Sequence, residues 1–434
     1  DKYKDSGIAW IGEIPEHWDK NKIIRLFSII GSGTTPKSSK EDNYIGSVNW
    51  IQSGDINGGY IENCKNTISD TALKEYPTLK IYKAPFIIVA MYGASVGNIS
   101  ISNIDGCVNQ ACCVMNETKQ NFKYLFYAMN SVKRYLIYKA EGGGQPNISQ
   151  DKIKNTWMPI PPFEEQQSIA TYLDQKCGEI DELITLQEEM ITKLQSYKQS
   201  VITEAVTKGL DKNVPLKDSG IEWIGKIPEH WEASKTLFSL SMPITDGPHT
   251  TPELFETGIP FVSAEAVSFG NGRIDFSHIR GYISENFYQE CCKKYIPQID
   301  DIYMIKSGAT TGRVAIVDTD IKFTIWSPLA VFRCNKERML PRFLFYQLQS
   351  NGYQKQIELN WSYGTQQNIG MRTLEKLILS VPPLSEQQSI ADYLDQKCCE
   401  IDELISIKQQ KIEKLKDYKK SLIFECVTGK RKVS

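Results

Sequence analysis

The sequence predicts an α+β fold: two pseudo-symmetric globular units separated by two long antiparallel α-helices that form a coiled coil. Three observations predict it. KDSGIAWIGEIPEHW at 4–18 returns as KDSGIEWIGKIPEHW at 217–231, with 13 of 15 positions identical. EEQQSIATYLDQKCGEIDELI at 164–184 returns as SEQQSIADYLDQKCCEIDELI at 385–405, with 18 of 21 identical. These pairs lie 213 and 221 residues apart, so each copy fills about half of the 434 residues. Third, the residues between the matched flanks have drifted almost beyond alignment. A constant surround with two variable inserts means two similar bodies presenting different surfaces.

The spacing divides the chain into a first globular domain at 1–158, a central long helix at 159–209, a second globular domain at 210–380 and a distal long helix at 381–430. Within the first insert, Ile87-Ile88-Val89-Ala90-Met91 is a short apolar run ended by Gly93, as a buried strand requires. Tyr124-Leu125-Phe126-Tyr127 and Phe343-Leu344-Phe345-Tyr346 occupy equivalent helical stretches and belong to the cores. Three loops correspond between the inserts: GASVGN at 93–98 with GATTGR at 308–313, QPNIS at 145–149 with QQNIG at 366–370, and TTP at 34–36 with TTP at 250–252.

The central helix opens after Pro161-Pro162, with Glu164 and Glu165 favourable to its positive N-terminal end, and Gly209 is a natural stop. A heptad runs through Ile169, Leu173, Ile180, Leu183, Met190, Leu194, Tyr197 and Val201. The distal helix opens at Ser385, with Gln388 completing a capping box, and carries Ile390, Leu394, Ile401, Leu404, Leu415, Tyr418 and Leu422 in the same register. Cys177, Ile184 and Ile191, matched by Cys398, Ile405 and Ile412, widen the stripe beyond what a two-helix seam needs. The two helices are therefore expected to pack on each other and to offer a docking face to another subunit.

Bulk properties exclude several classes. With 41% apolar and 24% charged residues, the chain can bury more than one core and is not wholesale disordered. No apolar run approaches the ~20 residues of a membrane span. The opening DKYKDSG has neither basic nor apolar signal regions, so a cytoplasmic location is expected. Eleven cysteines with no C-x-x-C pair read as reduced thiols, and only four histidines are present, so no metal site is expected. Net charge is −2, but residues 161–210 alone carry 4 basic and 9 acidic groups. That helix would repel phosphate, so its expected partner is protein.

No string carries catalytic chemistry. Ile160-Pro161-Pro162-Phe163 resembles the Pro-Pro-aromatic turn of amino-methyltransferases, but Ile160 stands where that chemistry needs an amide or acid. Gly31-Ser32-Gly33 lacks the third glycine of a dinucleotide fingerprint, and GASVG and GATTG lack the Gly-Lys-Ser/Thr ending of a phosphate loop. The carboxylates Asp174, Asp181 and Glu182 lie on a charged helix face. What remains is recognition by loops rich in Thr, Ser, Asn, Gln and Gly with interspersed cations, which offer donors and acceptors to base edges and phosphates. The candidates in the first insert are Thr34, Thr35, Lys37, Ser95, Asn98, Asn109, Gln110, Gln145 and Asn147. In the second they are His249, Thr250, Thr251, Thr310, Thr311, Arg313, Ser327, Gln366, Gln367 and Asn368.

The duplicated SGIxWIGxIPEHW opening and the PPxxEQQSIAxYLDQK helix start resemble the specificity subunit of type I restriction–modification systems, over the whole chain and in the family's order. The resemblance implies two target-recognition domains, each reading one half of a split double-stranded DNA target, with the long helices setting the spacing. It implies docking of two methyltransferase subunits and of restriction (translocase) subunits. S-adenosylmethionine, ATP and Mg are then expected in those partners, with no cofactor and no catalysis in this chain. The helix positions Ile169, Leu173, Ile180, Leu183, Leu194, Ile390, Leu394, Ile401, Leu404 and Leu415 fall in the regions that would pack together and meet the methyltransferases. Ser53-Gly54-Asp55-Ile56 faces only Ala264-Glu265-Ala266-Val267 in the second copy, so equivalent loops need not touch DNA in equivalent ways.

Physical reasoning reaches the same place. A homodimer imposes a palindrome on its DNA, whereas fusing two copies and letting them diverge frees the two half-sites. Helices of about 45 residues at ~1.5 Å each cap the separation at roughly 65 Å, or about 19 base pairs at ~3.4 Å each. The competing expectation is a protein scaffold that binds no DNA and carries two divergent interaction lobes.

Overall fold

The computed structural model describes residues 2–140, 147–363 and 367–433. Contacts divide the chain into two compact units, Asp1–Gln187 with Gln410–Ser434, and Glu188–Gln409. Each unit therefore holds one variable insert together with part of each long helix, Phe163–Lys208 and Leu384–Val427.

In the first unit a five-stranded sheet runs in the order Ile29–Gly31, Cys112–Asn116, Phe86–Ala90, Ile99–Ser102, Tyr60–Ile61. Only the last pairing is parallel. The strand Phe86–Ala90 is buried throughout, because both of its faces meet a core. Ile87 and Val89 point into the larger core with the helix Phe122–Tyr138, while Phe86, Ile88 and Ala90 point into a smaller one. This two-residue alternation is what a strand's pleat dictates, and it explains why the run reads as continuously apolar. A second, three-stranded sheet pairs Val48–Ile51 with Thr67–Ile68 and, in parallel, with Cys107–Val108.

The second unit repeats this plan with a shorter sheet: Thr245–Asp246, Leu329–Phe332, Ile302–Ile305, Val314–Ile316. Ile302 and Met304 enter one core, Tyr303 and Ile305 the other. Its three-stranded sheet again contains a parallel pair, Ile259–Val262 with Thr324–Ile325. The helix Ala264–Phe269 occurs where the first copy has only the short 3-10 turn Ser53–Asp55.

The long helices begin at Phe163 and Leu384, directly after the proline pairs, and end at Gly209 and two residues before Gly429, both glycines in the left-handed region (φ 75° and 72°). Within each unit they run antiparallel. In the second, Lys408 reaches Met190 and Lys198 pairs with Asp402, so one helix ascends as the other descends. In the first, Lys419 donates to both oxygens of Asp181 at 2.7 Å. Ile169, Leu173 and Ile180 are buried with Leu422, and Ile390 and Leu394 with Val201, while Leu194 and Leu415 are half-buried.

The seam keeps Ile180 and Ile401 of the heptad, takes Cys177, Cys398 and Ile412 from the wider stripe and adds Gln187, all at most 7% exposed. Leu183 and Leu404 lie outside it, at 42% and 47% exposure, as do Met190, Tyr197 and Tyr418. Positions seven apart share a helix face, so a one-residue shift of register turns a whole column outward.

None of the eleven cysteines is in a disulfide, and burial pushes the thiol of Cys107 up to about 11. Among the described residues no helix is long and apolar enough to cross a membrane.

Candidate nucleic-acid interface

The duplicated motifs first explain how each insert is fastened to its helix. Glu165 accepts from His17 Nε2 at 2.7 Å and from Trp18 Nε1 at 2.9 Å; Glu386 accepts from His230 at 2.7 Å and Trp231 at 3.0 Å. Gln166 and Gln387, both buried, hold the next contact. Each accepts from the backbone ahead of an insert helix (Asn121 N, 2.9 Å; Leu340 N, 2.8 Å) and donates to a proline carbonyl (Pro161, Pro382; both 2.8 Å). About two turns further on, Asp174 accepts from Tyr127 and Lys123, and Asp395 from Tyr346 and Arg342. The EHW and EQQ motifs are thus the two halves of one joint, present twice.

Beyond the joint, the matched loops gather at the strand ends through a backbone network that also occurs twice. In the first unit Met91 N donates to Ala111 O (2.7 Å), Ile148 N to Met91 O (2.7 Å), Asn109 N to Ile51 O (3.1 Å) and Gly97 N to Ala90 O (2.8 Å). In the second, Lys306 N donates to Pro328 O (2.8 Å), Ile369 N to Lys306 O (2.9 Å), Trp326 N to Val262 O (2.9 Å) and Gly312 N to Ile305 O (2.8 Å). Gly33 and Gly247 complete the match. A Cβ on either would fall 1.7 Å from Val108 O or 2.0 Å from Ile325 O, so only glycine lets these loops cross the parallel strands.

This network brings most of the candidate residues together. Thr35 donates to Gln110, whose loop is bonded to that of Met91, and Asn147 enters beside Met91 through Ile148. Thr35, Lys37, Gln110 and Asn147 are exposed and Thr34 is half-buried. In the second unit His249, Thr250, Thr251, Arg313, Gln367 and Asn368 are exposed, with Thr310, Thr311 and Ser327 half-buried. Ser327 N reaches Pro248 O at 3.2 Å and Gly308 N reaches Gln367 O at 3.0 Å, which joins these segments. Gln145 and Gln366 lie outside the described residues.

Several candidates already have partners within the loops. Ser95 donates to Ser53 O (2.6 Å), and Asn98 donates to Ile56 O (2.9 Å) while accepting from Lys133 (2.7 Å). Asn109 caps the turn at Ala111 (3.1 Å). Thr311 donates to Gly308 O at 2.7 Å, Thr310 accepts from Ser268 at 3.1 Å, and Arg313 donates to Ser268 O at 3.2 Å. Asn98 and Arg313 therefore hold equivalent turns against the segment where the copies differ most.

Sequence reasoning missed one group. Asp246, 1% exposed at the end of its strand, is paired by Lys294 at Oδ1, and its Oδ2 lies 3.3 Å from Lys306 Nζ and 3.2 Å from His249 Nε2. Burial alone would raise this carboxyl, but Lys294 and Lys306 outweigh it and hold the group below the usual carboxylate range. Strand register places Ser32 and Met91 at the corresponding positions of the first copy. The signal was the matched pair Ser-Gly at 32–33 and Asp-Gly at 246–247; the lysines, 48 and 60 residues away, were not legible.

Comparison with known proteins agrees with this architecture. The family model described as the type I restriction modification DNA specificity domain matches residues 15–195 and 248–417. The MjaVIII type I restriction enzyme specificity subunit of Methanocaldococcus jannaschii is 26% identical over 71% of this chain and 70% of its own length. The MjaIX specificity subunit of the same organism is 24% identical over 98% and 95%. A solved chain from a study of complex assembly and conformational transition of the type I R-M system superposes with a TM-score of 0.71 at 17% identity, covering 96% of this chain and 99% of that one. The HsdS subunit from Thermoanaerobacter tengcongensis gives 0.50 at 17% identity, over 96% and 98%. Because these two matched ranges cover well over half of the sequence, this chain belongs to the type I restriction–modification DNA specificity family.

Proposed function

We propose that the chain reads an asymmetric, bipartite double-stranded DNA target, one half-site per unit, and recruits to it two methyltransferase subunits and the restriction (translocase) subunits. The observation that supports this reading is the loop network that occurs twice with the same backbone bonds and different side chains. A constant backbone fixes the position of the loops, and the side chains exposed on it decide what they contact. Thr35, Lys37, Gln110 and Asn147 serve one half-site, and His249, Thr250, Arg313, Gln367 and Asn368 the other. Ser95, Asn98 and Thr311 shape the loops that carry them. Leu183, Leu404, Met190 and Tyr418, apolar and exposed on the helices, are the surface offered to the methyltransferases. The chain itself catalyses nothing. S-adenosylmethionine, ATP and Mg belong to the partner subunits, and the assembly works in the cytoplasm.

The test is co-expression with methyltransferase subunits of the same system, followed by long-read mapping of genomic methylation. The expected result is one motif of two unlike half-sites around a gap of constant length, absent when this chain is omitted. Methylation that persists without the chain, or methyl transfer by the purified chain alone, would overturn the reading.

A further inference from the structure

Arg280 stands at the edge of the second loop network, two residues before the strand Tyr282–Ile283, and its guanidinium lies over the indole of Trp326, 4.4 Å from the ring centre. Trp326 is itself fixed. Its ring is half-buried beside Phe261 (6.3 Å between ring centres), and its backbone N–H donates to Val262 O at 2.9 Å. The next residue, Ser327, donates from its backbone to Pro248 O, directly ahead of His249, Thr250 and Thr251. Arg280 is exposed, and among the described residues it has neither a hydrogen bond nor an ion pair. A guanidinium keeps its charge at any working pH, and lying over an aromatic face leaves its in-plane N–H groups unused. The side chain is therefore a held, charged, unpaired donor beside the residues assigned to the second half-site.

Such a donor could serve a base edge or a phosphate. The first copy decides between them. Strand register matches Asn49 with Pro260 and Thr67 with Tyr282, and Trp50 N donates to Asn66 O (2.9 Å) as Phe261 N donates to Gly281 O (3.0 Å). The residue before each of these acceptors is Lys65 in one copy and Arg280 in the other. Lys65 is likewise exposed and unpaired among the described residues. The neighbouring side chain has diverged, with Asn109 making the backbone bond that Trp326 makes in the second copy. A positive charge kept at one backbone position while its surroundings change fits a contact that carries no sequence information.

We propose that Arg280, and Lys65 in the first unit, are DNA phosphate contacts that hold each unit's loops on the backbone of its half-site. Trp326 is a positioning residue for Arg280. This rests on the bipartite reading above and adds the chemistry of one contact in each unit.

The experiment uses the methyltransferase complex containing the full chain, with duplexes of its mapped motif and of single-position variants of that motif. Binding is followed by fluorescence anisotropy over a series of salt concentrations. Arg280→Ala and Lys65→Ala are each expected to make the slope of log K against log [salt] shallower by about 0.9, the share of one phosphate contact. Each should weaken all duplexes by the same factor and leave the methylated motif unchanged. Arg280→Lys, which keeps the charge, should keep the slope. Trp326→Ala should lower affinity, and by less when Arg280 is already alanine. An unchanged slope in either alanine variant would overturn the proposal. So would a loss confined to one base position, which would make the cation a base reader. If the wild-type complex yields no bipartite motif, the underlying functional reading fails instead.

Discussion

The two units differ least where they hold the long helices and most where they end their strands. Glu165 and Glu386 accept the same two bonds from the same two residue types, with distances that agree within 0.1 Å. At the strand ends, a serine and a buried methionine in one copy stand where the other has an aspartate–lysine pair. The backbone bonds beneath these loops are nevertheless the same. Duplication preserved a scaffold that fixes position and released the side chains set upon it, which is how one fold can acquire a second specificity without acquiring a second architecture.

The largest effect that would sharpen this contrast lies in a cluster of the second unit that has no counterpart among the described residues of the first. Arg333 makes two 2.7 Å bonds to Asp301, which is 1% exposed and also accepts from Tyr295. Arg333→Ala leaves that carboxylate buried without its cation, and is expected to cost about 3–5 kcal/mol. Calorimetry should show the second unit losing more stability than the first; an equal loss in both would contradict a cluster that acts within the second unit.

Next come Gly33→Ala and Gly247→Ala, each forcing a Cβ against a strand carbonyl, at about 1–3 kcal/mol. Each should weaken reading of its own half-site alone. The joint should behave oppositely. Glu165→Ala and Glu386→Ala remove equivalent, partly exposed bonds and should each cost about 1 kcal/mol, equally within error by denaturant midpoint. A large difference would break the equivalence of the joints.

The smallest effect is acid sensitivity. Because Asp246 is held below its unfolded value, its contribution is present above the ordinary carboxylate pKa of about 3.9 and lost as pH falls through the lowered one. In acid titrations, Asp246→Asn should flatten the stability of the second unit over that window and leave the first untouched.

Much of this was legible in sequence. The long helices, the proline pairs before them, Gly209 after the first, the buried run at Ile87–Met91 (a strand over Phe86–Ala90) and the paired loops all follow from local pattern. The seam was not, because Leu183 and Cys177 belong to apolar columns of similar quality, and only packing chooses between them. The recognition candidates divided for the same reason. Asn98 and Gln110 look alike as polar loop residues, yet one is bonded on both sides of its amide to neighbouring segments while the other remains exposed. The joint was recognised as a repeat but not as a joint, since Trp18 and Glu165 are 147 residues apart.

The most direct test replaces residues 23–158 with the corresponding insert of another specificity subunit and maps methylation by the resulting complex. If each unit reads its own half-site, one half of the motif changes to the donor's while the other half and the gap stay as they were. A motif unchanged in both halves, or altered in both, would contradict the account.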